Sequence, residues 1–280
     1  MKTKTNKKPT VAGWDSGYPI IRNPQFIGTK YHELPLRRML ASGKGNTKTA
    51  KNTFQTATLS MSPHKMAHVG NVCPGASAAC VKACLNETGL GSVFDSIQAY
   101  RQAKTIAWQL VRDWAIERIT KDLQLAEKRL GESDLLACRL NVFSDIRFER
   151  YLDLAQFERT IFYDYSKIPG RYGLLAPNYW VTFSRSETNE AQAIEALENG
   201  ANVAIVFYDD SKPATGNRAQ FQRLPKTWRG FQVFDADKTD QRFLDPRGRK
   251  RGRVAGLRLK ASTNAKRAEA IASGFAVKVR

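Results

Sequence analysis

Residues 63–84 read PHKMAHVGNVCPGASAACVKAC and hold three of the four cysteines of the chain. Cys73, Cys80 and Cys84 follow the spacing C-x6-C-x3-C, with Gly75 and three alanines between the first two. Three thiolates on one short loop can ligate three irons of a cubane iron–sulfur cluster and leave the fourth iron open to a small molecule. The loop therefore predicts a [4Fe–4S] cluster on these three cysteines.

The low cysteine content of the chain favours reduced thiols over a disulfide framework. Only four cysteines occur in 280 residues, and the sequence shows neither a signal peptide nor a long apolar segment. A chain of this length buries a core without covalent cross-links. We therefore expect a cytoplasmic protein without membrane association.

Strand-like and helical segments alternate after the basic amino-terminal region. Residues 56–62 predict a strand directly before the cysteine loop, and apolar spacing predicts one long helix over 93–130. Further strands are predicted at 135–143, 160–167, 178–186, 201–209, 231–237, 253–261 and the carboxyl terminus, and helices at 149–158, 188–198 and 263–273. Such alternation is typical of parallel βαβ units. We expect an α/β fold, a partial (β/α) barrel over residues 56–280, with residues 1–55 as a basic arm of turns and loops.

Polar side chains gather near the carboxyl ends of the predicted strands, where barrels build their sites. By strand alternation, Cys138 falls on an apolar face and is predicted to be a buried structural thiol, whereas Arg139 and Asn141 point to a polar interior. The candidate catalytic residues are Arg139, Asn141, Asp145, Tyr165, Lys167 and Ser184. Tyr163 shares the strand face of Tyr165 and Lys167, and this face is as consistent with a satisfied polar core as with a site.

The net charge of +19 is concentrated at the two ends of the chain. Residues 1–55 carry +9 and residues 246–280 carry +10, whereas residues 56–245 are neutral overall. Dense Lys and Arg residues bind the phosphate backbone of nucleic acids by releasing counterions. We therefore expect a nucleic-acid partner, DNA or RNA, near the barrel mouth that carries the cysteine loop. We expect the segment RGRKRGR to contact it through Arg247, Arg249, Lys250, Arg251 and Arg253.

Several motifs in fixed order resemble a phage protein family. CPGASAACVKAC, RLNVFSD, FYDYSK, NYWVTFSRSE, DADKTDQRFLD and GLRLKAS together resemble the "gene product 88" family and related phage proteins, from about residue 57 to the carboxyl terminus. The arrangement is also similar to radical S-adenosylmethionine enzymes, in which a three-cysteine loop follows the first barrel strand. Those enzymes usually carry C-x3-C-x2-C, so this spacing departs from theirs. Together with the cysteine loop and the basic ends, the family resemblance leads us to expect a phage-encoded iron–sulfur protein in the host cytoplasm that acts on or binds a nucleic acid or a nucleotide-derived substrate. The similarity to radical enzymes implies S-adenosylmethionine as an additional cofactor.

Zinc is the alternative metal for the cysteine loop. His64 and His68, four residues apart, could join the cysteines in a mixed tetrahedral site. The protein would then be a zinc-stabilised nucleic-acid-binding module without catalysis, acting in replication or against host defence.

A second alternative is phosphoryl transfer with divalent metal ions. Asp235, Asp237, Asp240 and Asp245 lie close together in sequence, and Asp145 could join them from another strand. Paired carboxylates hold the metal ions of nucleases. The sequence leaves open whether the chain is an enzyme or a binding module, and it does not determine the substrate or the oligomeric state.

Overall fold

The computed structural model describes residues 7–42, 54–87, 93–210, 222–261 and 263–279. It is a mixed α/β fold built on one large sheet and one small sheet. The large sheet contains eleven strands: β4 (Ala41–Ser42), β5 (Gln55–Thr58), β6 (Leu136–Arg139), β7 (Thr160–Ser166), β8 (Gly173–Ala176), β9 (Tyr179–Ser184), β10 (Val203–Tyr208), β11 (Thr227–Trp228), β12 (Phe231–Asp235), β13 (Val254–Arg258) and β14 (Val277–Lys278).

Eight strands of the large sheet run parallel: seven in the order β5, β6, β7, β9, β10, β13 and β12, and β14, which pairs with the end of β10. The carboxyl ends of β5, β6, β7, β9 and β10 therefore lie along one edge in chain order. The hairpin strands β4, β8 and β11 add antiparallel pairings. Across the described strands, β4 and β11 stand at the two ends of the path without pairing with each other. The α/β class is confirmed, whereas closure into a barrel is not shown.

Five helices accompany the sheet in the described ranges: α1 (Ala78–Lys82), α2 (Asp95–Leu110), α3 (Arg112–Lys128), α4 (Glu190–Glu198) and α5 (Asn264–Ala272). The prediction of one helix over 93–130 is wrong, because Val111 takes an extended φ of −137° and separates α2 from α3. The predicted helix at 149–158 is also wrong. Two short 3-10 turns, Phe148–Arg150 and Leu154–Gln156, replace it, and the Asp153 carboxylate caps the second. Of the helices that the structure describes, none is long and apolar enough to span a membrane.

The amino-terminal region is more ordered than predicted. Strands β1 (Thr10–Asp15), β2 (Tyr18–Arg22) and β3 (Glu33–Pro35) form an antiparallel sheet that packs on α2. Buried Asn23 donates to the Gln102 side chain of α2 at 2.6 Å. The helix lies between two sheets, which explains why its residues 102–108 are all buried. The prediction of an arm of turns and loops over residues 1–55 is therefore wrong for the strands of this sheet, and residues 1–6 and 43–53 of that arm lie outside the described residues.

The two faces of the large sheet are covered differently. One face packs on the helices through residues such as Cys138, Phe162 and Val181 under α2 and α3, and Phe183 and Ile205 under α4; we call it the helix-covered face. The opposite face, which we call the second face, carries Arg139, Tyr163, Tyr165, Trp180 and Ala204. The connection from β12 to β13 crosses the second face, where Phe243 meets Tyr163 with ring centroids 5.6 Å apart. A chain segment therefore occupies the face that the sequence assigned to a barrel interior.

Candidate metal and ligand site

The cysteine loop lies at the carboxyl edge of the parallel strands, as predicted. It follows β5 directly, and the Asp145 backbone N–H, beyond the end of β6, donates to the Val72 carbonyl at 2.8 Å. A Cβ atom at Gly75 would lie 3.0 Å from the backbone of Lys167, just after β7. Glycine therefore allows the loop to approach β7 closely.

The first cysteine is held by the backbone on both sides of its sulfur. The His64 N–H donates to Cys73 Sγ at 3.2 Å, and the Cys73 thiol donates to the Phe143 carbonyl at 3.1 Å. His64 and His68 adopt left-handed φ values of 52° and 56°. This conformation is uncommon for residues other than glycine and marks a tightly folded loop. The two histidines do not share a helical face, and His64 meets the sulfur through its backbone.

The other two cysteines lie on and just beyond the short helix α1. Ser77 caps this helix, because its Oγ accepts from the Cys80 N–H at 3.1 Å. Glu187, beyond β9, receives hydrogen bonds from Ser77 Oγ at 2.8 Å and from the Ala79 N–H at 3.1 Å. Glu187 thus fixes the segment that carries Cys80 and Cys84 to the edge of the sheet.

The Cys80 and Cys84 thiols both affect the pKa of Cys73. Burial raises the pKa of Cys73 to about 12, the His64 hydrogen bond opposes this rise, and Cys84 and Cys80 add to it. Across the residues that the structure describes, no three His, Cys, Asp or Glu side chains are already arranged as a metal site. Cys138 lies apart, fully buried on the helix-covered face as predicted.

Arg101 of α2 is a component of this site that the sequence reasoning missed. Its guanidinium lies 4.4 Å from the Phe143 ring centroid and donates to the Asn86 carbonyl and side chain at 2.9 Å. Burial lowers its pKa and the Cys84 thiol raises it. Arg101 follows Ile97 by four residues on the apolar spacing of α2, so a charged residue in an apolar stripe was the available signal.

The predicted catalytic residues separate into two groups. The Lys167 ammonium donates to Ser184 Oγ at 2.8 Å, and the Arg139 guanidinium lies 4.8 Å from the Tyr165 ring centroid. These four residues lie on the second face or at its carboxyl edge. The prediction that Asn141 points the same way as Arg139 is wrong, because β6 ends at Arg139 and Asn141 bonds to Asp164 on the helix-covered face.

Asn141 and Asp145 belong to a buried polar network that supports the cysteine loop. Asp164 accepts from the Asn141 N–H at 2.7 Å and from the Tyr179 hydroxyl at 2.9 Å. Asp145 accepts from Ser166 Oγ and from the Lys167 N–H, both at 2.8 Å. Their geometry makes them positioning residues for the loop.

Four of the five carboxylates considered for divalent metal ions face a cation of the chain. Asp235 pairs with Arg258 at 2.8 Å, and Asp237 pairs with Lys260 at 2.7 Å. Asp245 lies 3.4 Å from Arg242. Asp145, by contrast, pairs with Arg171 at 3.2 Å, so the structure does not bring it together with this group. Asp240 is half-buried beside the tyrosines of the second face.

The basic segment 247–253 lies at the opposite edge of the sheet from the cysteines. It directly precedes β13, which runs parallel to β10 and β12, so it is at the amino ends of these strands. Arg247 stacks 3.9 Å from the Trp180 ring centroid, and Arg251 lies 4.3 Å from that of Phe231. The expectation that this segment brings nucleic acid to the cysteine edge is therefore wrong.

Two further members of the segment, Arg249 and Lys250, are exposed, whereas Arg253 is half-buried and donates to Gln232. The segment thus presents a mixture of exposed and stacked cations to solvent.

The fold and site define a class of protein, an α/β protein with a three-thiol loop at the carboxyl edge of a parallel sheet. Within that class, the chain belongs to the phage gene product 88 family, whose profile matches residues 37–278. No curated protein and no solved structure matches the chain. The family membership predicted from the motifs is confirmed, and radical-enzyme similarity is not shown.

Proposed function

We propose that this chain is a phage iron–sulfur protein in which Cys73, Cys80 and Cys84 hold the cluster. The observation that carries the proposal is the position of the loop with all three cysteines at the carboxyl edge of the parallel strands, where Cys84 and Cys80 add to the rise in the pKa of Cys73. A bound metal centre would reverse the repulsion between the thiolates, because its positive charge favours their deprotonated forms.

The surroundings of the thiols also fit an iron–sulfur centre. A backbone N–H already points at Cys73 Sγ from 3.2 Å, and hydrogen bonds to sulfur tune the potential of such clusters. Arg101 places a cation near Cys84. When bound, the cluster would supply electron transfer or an open iron for a ligand. The candidate substrate contacts line the neighbouring edge and the second face: Lys167, Ser184, Arg139 and Tyr165.

The finer part of the proposal is a partial (β/α) barrel of the radical S-adenosylmethionine type. Strands β5, β6, β7, β9 and β10 follow one another in chain order across the sheet, and the cysteine loop follows the first of them. This order supports the similarity. S-adenosylmethionine cleavage by the reduced protein, measured as release of methionine, tests it.

Metal analysis of protein purified without oxygen tests the cluster. We expect about four irons and four sulfides per chain in the wild type, with a broad visible absorption. Cys80→Ala is expected to lose most of both, because only two thiolate ligands remain. The measurement is iron, sulfide and zinc content per folded chain, with circular dichroism confirming that the variant is folded.

Cys138→Ala is the matched control, because this thiol is buried in the core away from the loop. It is expected to retain the full iron content. One zinc per chain and no iron would support the zinc-stabilised alternative, with the imidazoles of His64 and His68 as further candidates. Equal metal content in wild type and Cys80→Ala would contradict any site on this loop.

We further propose that the segment 247–253 binds nucleic acid at the amino edge of the sheet. The support is its five cations, four of them exposed and two of those stacked on aromatic rings. The nucleic acid would then lie away from the cysteines, and the segment would act by binding alone.

The double substitution Arg249→Ala and Lys250→Ala is expected to weaken DNA or RNA binding at low salt. Each cation–phosphate pair contributes about 0.9 to the magnitude of the slope of log affinity against log salt, so removing both cations should reduce that magnitude by roughly two. Fluorescence anisotropy over a salt series measures this. Lys30→Ala with Lys65→Ala removes the same charge from exposed positions elsewhere and should change the slope little. An unchanged slope in the Arg249→Ala, Lys250→Ala variant with a reduced slope in the Lys30→Ala, Lys65→Ala variant would place the nucleic acid away from segment 247–253.

A further inference from the structure

Buried polar atoms without hydrogen-bond partners concentrate in one part of this protein. Within the described chain, they include Arg139 Nε and both side-chain polar atoms of Gln241, and also Arg242 Nη1 and Asp245 Oδ2, which form an ion pair with each other at 3.4 Å but no hydrogen bond. Gln241 is 0% exposed and Arg242 is 4% exposed. A buried polar atom without a partner destabilises the folded state, because it loses its hydrogen bonds to water and gains none in the protein. Such groups indicate a missing partner, such as water or a ligand.

These residues lie where the connection from β12 to β13 crosses the second face. Phe243 contacts the Tyr163 ring, and Arg139 stacks on the Tyr165 ring. Burial raises the pKa of the Tyr165 hydroxyl, and the charges of Arg242 and Arg139 lower it, so both arginines act on this one group. We call Arg139, Tyr163, Tyr165, Gln241, Arg242 and Asp245 the second-face cluster.

The unpartnered atoms specify the chemistry of the missing group. Arg139 Nε requires an acceptor, and the Gln241 carboxamide requires one donor and one acceptor, whereas Arg242 Nη1 and Asp245 Oδ2 face each other at 3.4 Å. An inorganic anion offers only acceptors and leaves Gln241 Oε1 unpaired. The two arginines are balanced by Asp245 and the nearby Asp240, so an uncharged ligand is favoured over an ion.

Aromatic rings beside these atoms favour a planar ligand. Tyr163 and Tyr165 lie on the second face beneath the crossing segment, which itself contributes Phe243. Aromatic rings of this kind stack on heterocycles. A nucleobase combines a flat π-system with an edge of alternating donors and acceptors, which a glutamine carboxamide can read with two hydrogen bonds. Arg139 and Tyr165 are half-buried, so the cluster reaches solvent on their side.

We propose that the second-face cluster binds a neutral nucleobase, as the free base or a nucleoside, through the Gln241 carboxamide and the neighbouring tyrosine rings. The inference rests on the candidate substrate contacts Arg139 and Tyr165 of the proposed function and names the chemical class of that substrate. It requires no metal on the cysteine loop.

Calorimetric titration of the full chain with adenosine, guanosine, cytidine and uridine tests this inference, with inorganic phosphate as the anion control. We expect saturable binding of at least one nucleoside and none of phosphate. Gln241→Leu keeps the volume but removes both hydrogen bonds, so its affinity should fall at least about tenfold. The same variant should raise Tm, because it removes a buried carboxamide that has no partner in the free protein.

Gln102→Leu is the matched control, since Gln102 is a buried glutamine that accepts from Asn23 at 2.6 Å and donates to Gln25 at 3.2 Å. It should lower Tm and leave nucleoside affinity unchanged. Absence of nucleoside binding by the folded wild type would overturn the inference, as would undiminished binding by Gln241→Leu. A lowered Tm of Gln241→Leu without nucleoside binding would identify buried water as the partner and would also overturn it.

Titration of Cys80→Ala separates this inference from the metal proposal. Equal nucleoside affinity in Cys80→Ala and wild type supports a base site that is independent of the cysteine loop. Equal affinity supports the base site even if metal analysis finds no iron. Iron bound in the wild type without nucleoside binding would overturn the base site and leave the cluster proposal standing.

Discussion

Arg171→Leu is expected to destabilise the protein by about 3–5 kcal/mol, because it leaves buried carboxylates without their cation. The Arg171 side chain is 3% exposed, lies 3.2 Å from Asp145 and 2.9 Å from Glu149, and donates to the Tyr179 hydroxyl at 2.7 Å. Tyr179 in turn donates to Asp164. Leucine fills the space of the aliphatic stem but satisfies none of these acceptors.

The same substitution should loosen the cysteine loop, because Asp145 lies between Arg171 and that loop. Urea unfolding at pH 7 measures the free energy, and the accessibility of Cys73 to a thiol reagent measures the loop. Arg22→Leu is the matched control, since its ion pair with Glu33 is about half exposed and such pairs contribute about 0–1 kcal/mol. A destabilisation below about 1 kcal/mol for Arg171→Leu would show that the network is not important for folding.

Raising the pH from about 4 to about 7 is expected to lower the free energy of unfolding through Asp164 by up to about 3 kcal/mol. Burial raises the pKa of this carboxyl from 3.8 to about 6, while Arg139, the Asn141 N–H and Arg171 oppose the rise. The folded state therefore binds the proton more tightly than the unfolded state. Its stabilising contribution is complete below about pH 4 and is lost as the pH passes through about 6.

Asp245 contributes in the same direction. Its pKa is also raised to about 6 by burial, with Arg242 opposing. Urea unfolding at intervals from pH 4 to pH 8 measures the free energy of unfolding. This free energy should decline less with pH in Asp164→Asn and in Asp245→Asn than in wild type, and least in the double variant. A wild-type stability that rises over this interval would contradict the assignment.

The sequence predicted those parts of the site that depend on neighbouring residues in the chain. The spacing of the cysteines and the preceding strand placed the loop at the carboxyl edge of the sheet, and strand alternation placed Cys138 in the core. Arg101 and Glu187 were missed as supports of the loop, because each reaches it from a distant element. Their contacts depend on how α2 and the end of β9 pack around the loop.

Local sequence patterns also gave wrong predictions where contacts with distant elements decided the conformation of a segment. The residues around Val111 fit one continuous helix by apolar spacing, but α2 is buried between two sheets and α3 packs with one face, so the helix breaks there. Asn141 fits the alternation of β6 by its position in the sequence. The strand ends two residues earlier, and the Asp164 carboxylate turns Asn141 to the helix-covered face.

By itself, the sequence determined the α/β class, the family, the reduced cysteine triplet and the basic ends, because composition, spacing and periodicity are properties of the chain alone. Only the tertiary structure decided that the β12–β13 connection crosses the second face and that segment 247–253 lies at the edge away from the cysteines. Both depend on the order in which parallel strands pair. That order is set by long-range packing of the whole sheet, which no local stretch of sequence encodes.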